Sequence, residues 1–159
     1  MLIDDFRDTA DRSLSGERWE LFTDRVMGGV STATMRRQTL AGKRCQRMEA
    51  DVSTKNNGGF AQMSLKLRQL DARKFRGIRL LVYGNDEMYS LHLRTWQTPL
   101  PWQFYAAEFK APKRWETVEI PFASFKPTGM DLSKLGRLAI VAIKKDFRAD
   151  IAVARLELY

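Results

Sequence analysis

Alternation of apolar and polar positions with a period of two runs along most of this chain, and it predicts strands rather than helices. Trp19, Leu21 and Thr23 alternate with Glu20 and Phe22, and Val30–Thr34 reads as the next extended run. Arg44–Asp51 is a strand of low apolar contrast. From Phe60 to Leu67 the pattern sharpens: Ala61, Met63, Leu65 and Leu67 point one way, Gln62, Ser64 and Lys66 the other, with Phe60 breaking the polar phase. Ile78, Leu80 and Val82 give a further apolar face. In the segment 88–96, Tyr89, Leu91, Leu93 and Thr95 oppose Ser90, His92, Arg94 and Trp96. Gln103–Lys110, Trp115–Phe122, Gly136–Ile143 and Ile151–Tyr159 complete the set. In the last, the apolar phase slips between Val153 and Leu156, which predicts a β-bulge. Leu2–Phe6 is a short strand or irregular segment, and Asp131–Leu135 is expected to make a helical turn.

Turn signals punctuate these runs. Lys55-Asn56-Asn57-Gly58-Gly59 is the clearest, followed by Gly84-Asn85-Asp86 and the two-proline loop Gln97–Trp102. Nine or ten short strands with regular turns and no long amphipathic helix predict an all-β fold, an antiparallel β-sandwich or barrel. With no internal repeat, low-complexity tract or linker, residues 1–159 are expected to form a single domain.

The stretch with the most unusual local composition is Trp19–Ser31, WELFTDRVMGGVS. An opposite-charge pair, Asp24-Arg25, leads through Val26-Met27 into Gly28-Gly29, and two adjacent glycines mark either a tight turn or a close backbone approach. Spacing alone favours the turn, since no phosphate-loop pattern such as GxxxxGK[ST] is present. Met27 is expected to plug the edge of the sandwich.

Composition narrows the chemistry. Lys and Arg total 27 against 19 Asp and Glu, for a net charge of +8. Residues 1–35 carry seven acids and four bases (−3), so residues 36–159 carry 12 acids and 23 bases (+11). Such a field attracts acidic proteins, anionic lipid headgroups and nucleic acid. The bases are scattered, with no block of five and no RNP-like aromatic motif, so most of these charges read as a solvated surface and nucleic acid ranks below a protein client or a small ligand. No apolar run reaches the ~20 residues of a membrane span. Four aspartates in the first dozen residues argue against a targeting segment, and one cysteine cannot form an internal disulfide, so a cytoplasmic location is expected.

Catalytic and metal chemistry is poorly supplied. Any nucleophile–histidine pair must use His92, the one histidine, and nothing resembles a GxSxG elbow. Cys45 lies between Arg44 and Arg47, which could lower its pKa, although a half-exposed structural thiol is the commoner case. One His and one Cys fall short of a zinc site. Asn85-Asp86-Glu87 or Asn56-Asn57 could ligate calcium, but read better as turns. Neither a cofactor nor a metal is expected, and the chain is read as no enzyme.

A binding face fits the residues better. The polar side of 88–96 would present Ser90, His92, Arg94 and Trp96, with Tyr105 or Gln103 of the neighbouring strand added to the same surface. Trp, Arg and Tyr are interface hot-spot residues and also sugar- or anion-contacting ones. Arg94 could equally pair with Asp24 and simply tie two strands together. Trp96 and Trp102, bracketing Pro99-Leu100-Pro101, are either an exposed apolar tip or buried against the sheet end. Phe60 is an exposed anchor or a lid on a secondary core.

The ordered motifs, taken together, resemble one family. Asp24-Arg25-Val26-Met27-Gly28-Gly29-Val30-Ser31 after Trp19 is similar to the signature of the complex I intermediate-associated protein 30 family. Gly58-Gly59-Phe60-Ala61, Arg76-Gly77-Ile78, Val82-Tyr83-Gly84-Asn85, Tyr89-x-Leu91-x-Leu93-Arg94-Thr95, Phe104–Phe109 and Trp115–Phe125 follow in the family's order. The resemblance implies a galactose-binding-like jelly roll and a non-catalytic accessory factor that holds a protein client, an acidic subunit of a membrane-associated respiratory complex. It raises the weight of Asp24-Arg25 as a required pair, whether for folding or for contact, and Asp24, Arg25, Met27, Gly28, Gly29, Ser31 and Phe60 are the candidate partner- or ligand-binding residues of this region. The alternatives are a small-ligand or carbohydrate-binding jelly roll and, third, a nucleic-acid-binding accessory protein.

Overall fold

The computed structural model describes residues 1–159 and contains eleven strands. These are β1 (Leu2–Asp4), β2 (Glu20–Thr23), β3 (Thr32–Leu40), β4 (Lys43–Val52), β5 (Phe60–Leu70), β6 (Gly77–Tyr83), β7 (Glu87–Thr95), β8 (Tyr105–Ala111), β9 (Glu116–Pro121), β10 (Leu135–Ile143) and β11 (Phe147–Leu158). They form two antiparallel sheets, ordered β3-β4-β11-β6-β9 and β2-β5-β10-β7-β8, with β1 added beside β11 in the first. The architecture is a β-sandwich of jelly-roll type.

The period-two pattern explains the layering. Ala61, Met63 and Leu65 of β5, Leu91 and Leu93 of β7, and Leu138 and Ile140 of β10 have almost no exposed surface. They meet Met48, Ile78, Leu80, Val82, Ile151 and Leu156 from the other sheet in a cluster of 33 buried residues. Each such large side chain contributes roughly 1.5–3 kcal/mol on leaving water. Central strands read more apolar than edge strands because they have no solvated margin.

The predicted bulge in the last strand is present: the β11–β6 register shifts between Val153 and Arg155. That strand begins earlier than its apolar run suggests, because Phe147–Asp150 pair with Val52–Glu49 of β4. The helical turn expected at Asp131–Leu135 is absent. Asp131 and Leu132 lie in the approach to β10, Asp131 Oδ1 accepts from the Ser133 N–H at 2.9 Å, and Leu135 is already in the strand.

A buried ion pair ties the N-terminal segment down. Asp4 Oδ2 accepts from Arg37 Nη2 and from Trp19 Nε1, each at 2.8 Å. The guanidinium carbon of Arg37 lies 5.1 Å from the centre of the buried Phe6 ring.

Candidate functional site

Three neighbourhoods hold the residues singled out in the sequence. The first is the loop between β2 and β3. Asp24–Met27 form one 3-10 turn, capped by Thr23 at the start and by Gly28 at φ 88° at the end. Asp24 has no exposed surface. Its carboxylate accepts from the Ser31 N–H (2.9 Å) and hydroxyl (2.5 Å), from the Gly59 N–H (2.6 Å) and from the Phe60 N–H (3.2 Å). Burial opposes its ionisation, yet these donors outweigh burial and hold its pKa below the usual aspartate value. The glycines follow from this cage, since a Cβ on either Gly29 or Gly58 would overlap the Asp24 carboxyl.

Asp24 therefore pairs with neither Arg25 nor Arg94. The Arg25 Nε donates instead to the Ser31 carbonyl at 2.9 Å. What the cage presents is apolar: Val26 is 74% exposed, Met27 65% and Val30 40%. Met27 does not plug the sandwich edge, because the 3-10 turn directs it away from the sheets. Phe60 is half-buried and contributes to the cage through its backbone rather than as an exposed anchor.

The second neighbourhood is the outer face of the five-stranded sheet. In-register rows place Gln62, Val141 and Ser90 side by side, then Ser64, Ala139 and His92, then Lys66, Arg137 and Arg94. Half-buried Phe22 on β2 and Phe104, ahead of β8, flank this floor. His92 points outward as expected but is only 8% exposed, because Phe104 stacks on it at 3.9 Å with ring planes 8° apart. Burial, helped by the charge of Lys144, lowers its pKa to about 4, so the imidazole is neutral at pH 7. The side chains of Gln62, Ser90 and His92 make no hydrogen bond within the chain, and none is sealed from solvent. Tyr105 does not join this face. It is in register with Leu93, its ring lies in the core, and Phe104 takes the outward position.

The third is the β7–β8 loop at the opposite end of the sheet. Trp96 is 61% exposed, Leu100 42% and Trp102 71%, which makes the loop an apolar tip rather than a buried cover. Arg94 supports it from beneath. Its Nη2 donates to the carbonyls of Thr98, Pro99 and Leu100 at 3.1–3.3 Å, while its Nε is buried without a partner. Burial, and then the neighbouring Arg137, lower the Arg94 pKa. Trp96 Nε1 donates to Asp131 at 2.7 Å, a bond that heads the causes holding that carboxyl at about 2. The Tyr105 hydroxyl reaches Gln97 Oε1 at 3.1 Å, so this core tyrosine serves the tip from inside.

Elsewhere the sequence candidates are structural. Cys45 is fully buried rather than half-exposed, and desolvation raises its pKa against the pull of Arg47 and Arg44. Asn85 and Asp86 hold a turn, through Asn85 to the Arg148 carbonyl at 2.8 Å and Asp86 to the Lys113 N–H at 3.2 Å. No three His, Cys, Asp or Glu residues group where they could hold a metal ion. No helix is long and apolar enough to cross a membrane. Phe22, Phe104 and Arg137 were missed in the sequence; the outward phase of β2, of β10 and of the run into β8 signalled them, but only strand order shows that they frame one face.

Comparison with known proteins decides the family. The model described as complex I intermediate-associated protein 30 matches residues 5–145. The chain belongs to that family. The signature loop, the Gly58-Gly59 turn and β7 of this complex I intermediate-associated protein 30 family member all fall within the matched residues. No curated protein sequence matches it. Among solved structures, the family 11 carbohydrate-binding module of the cellulosomal cellulase Lic26A-Cel5E of Clostridium thermocellum superposes with a TM-score of 0.77 at 13% identity, over 99% of this chain and 92% of that one. The family 11 module from the same organism in complex with a β-1,3-1,4-mixed-linked tetrasaccharide gives 0.77 and 13% over 99% and 93%. The family 30 module of the cellulase Cel9D-Cel44B of Clostridium thermocellum gives 0.61 and 14% over 79% and 82%. At these identities the likeness shows the shared jelly-roll fold.

Proposed function

We propose that this chain is a non-catalytic protein-binding module that holds a client during assembly of a membrane-associated respiratory complex. One observation carries the reading: the loop whose sequence marks the family is locked by a buried carboxylate and displays Val26, Met27 and Val30 to solvent. A fixed apolar patch needs no ordering on binding, and methionine adapts to irregular partner surfaces. The net charge of +8 favours encounter with an acidic client.

The test is capture of clients from native lysate by the wild-type chain and by a Val26→Ser/Met27→Ser variant, with bound proteins identified and assembly intermediates resolved on native gels. The reading requires a subunit of a respiratory complex that is retained by the wild type and lost with the variant at unchanged melting temperature. Retention of that subunit by the variant, or capture of no such subunit, sinks it.

A second reading is favoured by a separate observation, the unpaired Gln62, Ser90 and neutral His92 between Phe22 and Phe104. Groups that both donate and accept, set between aromatic rings, suit a saccharide, and the sheet face has the fold of the carbohydrate-binding modules it superposes on. Titration of 15N-labelled protein with mixed-linked glucan and galactose oligosaccharides should move the amides of β7 and β10. Unmoved spectra with every sugar exclude this reading and leave the first untouched.

A further inference from the structure

We propose that the β7–β8 loop is a membrane-interface anchor, inserting Trp96, Leu100 and Trp102 into the headgroup–acyl boundary of an anionic phospholipid bilayer. The argument starts from backbone hydrogen bonds. An exposed loop normally leaves its peptide groups to water, but a segment entering lipid must satisfy them internally. In this loop Pro99 and Pro101 have no N–H to satisfy. The Thr98 N–H is taken by the Thr95 carbonyl, the Leu100 N–H by Gln103 Oε1, and the Gln103 N–H by the Leu100 carbonyl. The carbonyls of Thr98, Pro99 and Leu100 converge on one nitrogen of Arg94, Nη2, which pairs this part of the tip's backbone. The N–H groups of Trp96 and Trp102 and the carbonyls of Trp96, Gln97, Pro101 and Trp102 have no partner in the chain, so the loop suits the hydrated headgroup boundary rather than the hydrocarbon core, and its largest side chains stand in solvent.

The exposed residues fit a bilayer interface. Two tryptophans flank a leucine, and tryptophan favours the boundary where its ring is in apolar contact and its N–H reaches polar groups. The Trp102 indole N–H has no partner within the chain. Loops packed around the tip add charge of the right sign. The β5–β6 loop carries exposed Arg73 and Lys74, and the β9–β10 loop carries exposed Lys126 and Lys134. Their proximity is fixed by the bonds from Trp96 to Asp131, from Gln97 to the Gly129 carbonyl, and from the Ala72 N–H to the Leu132 carbonyl. Two carboxylates share this end, and both are engaged: Asp71 with Arg73 at 2.7 Å and Asp131 with Trp96. The Val26–Met27 loop lies at the other end of the five-stranded sheet, so a chain anchored here would keep that patch free.

The experiment is flotation of the purified full chain with vesicles of phosphatidylcholine alone or with about a third phosphatidylglycerol, read together with quenching of tryptophan fluorescence by acyl-chain-brominated lipid. The wild type should float preferentially with the anionic vesicles and be quenched. A Leu100→Ser/Trp102→Ser variant, altering exposed side chains outside the buried core, should keep its melting temperature and bind roughly tenfold or more weakly. A Lys74→Glu/Lys134→Glu variant should lose roughly tenfold on anionic vesicles while changing little on neutral ones. Absence of flotation with both vesicles overturns the proposal, as does tryptophan fluorescence left unchanged by brominated lipid. Full vesicle binding by the Leu100/Trp102 variant overturns it too, and if that variant instead loses a captured client, the tip is a protein-docking surface. The vesicle outcomes do not depend on the Val26/Met27 capture experiment.

Discussion

Asp24 and His92 show how one side chain can govern its surroundings through ionisation. Asp24 is a buried anion answered entirely by hydroxyl and backbone donors, with no cation bonded to it. Asp24→Asn turns an NH2 toward those donors and should cost at least about 2 kcal/mol, seen as a lower denaturation midpoint. Because its folded pKa is depressed, the stability it adds is present above the unfolded value near 3.8 and is lost as pH falls through the folded value. His92 acts in a higher window. Its pKa falls from 6.5 to about 4, so the unfolded chain binds the extra proton between those values. Stability should decline by roughly 2–3 kcal/mol from pH 6.5 to 4, and His92→Gln should flatten that slope in a series of urea melts.

At the scale of elements, long side chains rather than regular hydrogen bonding hold the irregular segments. Arg94 is to the β7–β8 loop what Asp24 is to the β2–β3 loop: one charge gathering several backbone groups. Arg94→Met keeps the stem and removes the donors, so amide exchange at Leu100 and Gln103 should quicken about tenfold or more while β10 and β11 keep their protection. Arg37 performs the corresponding task for the N-terminal segment. Arg37→Met leaves Asp4 buried with only Trp19 and the local N–H of Phe6 to answer it, which should destabilise by about 3–5 kcal/mol. These elements differ in legibility. The faces of β5, β6 and β7 follow from alternation, and so does the β11 bulge. The two loops do not, because their shape is set by Asp24 and Arg94 reaching partners that neighbouring residue types leave open.

For the whole molecule, the cluster of 33 buried residues joins both sheets, and the long β11 strand pairs with β1, β4 and β6. We propose that residues 1–159 unfold as one cooperative unit. Near-ultraviolet and far-ultraviolet circular dichroism should then give coincident thermal transitions, and two separated transitions would contradict a single domain. The same integration puts the two apolar loops at opposite ends of one sheet, where each can be altered without the other.

Period-two alternation, turn chemistry and the ordered signature residues determined by themselves the all-β class, most strand faces and the family. These are local properties, since a strand exposes its side chains alternately whatever it pairs with, and glycine at a turn is required by backbone geometry. Which residues share a surface was decided only by strand order. Tyr105 and Phe104 differ by one position, and pairing with Leu93 sent the tyrosine into the core and brought the phenylalanine onto His92. Asp24 found Gly59 and Phe60, 35 and 36 residues away, instead of the arginine beside it. Met27 was left in water because a 3-10 turn aims it there. Long-range pairing sets direction and burial together at these positions, and local pattern does not encode which distant residue will be the partner.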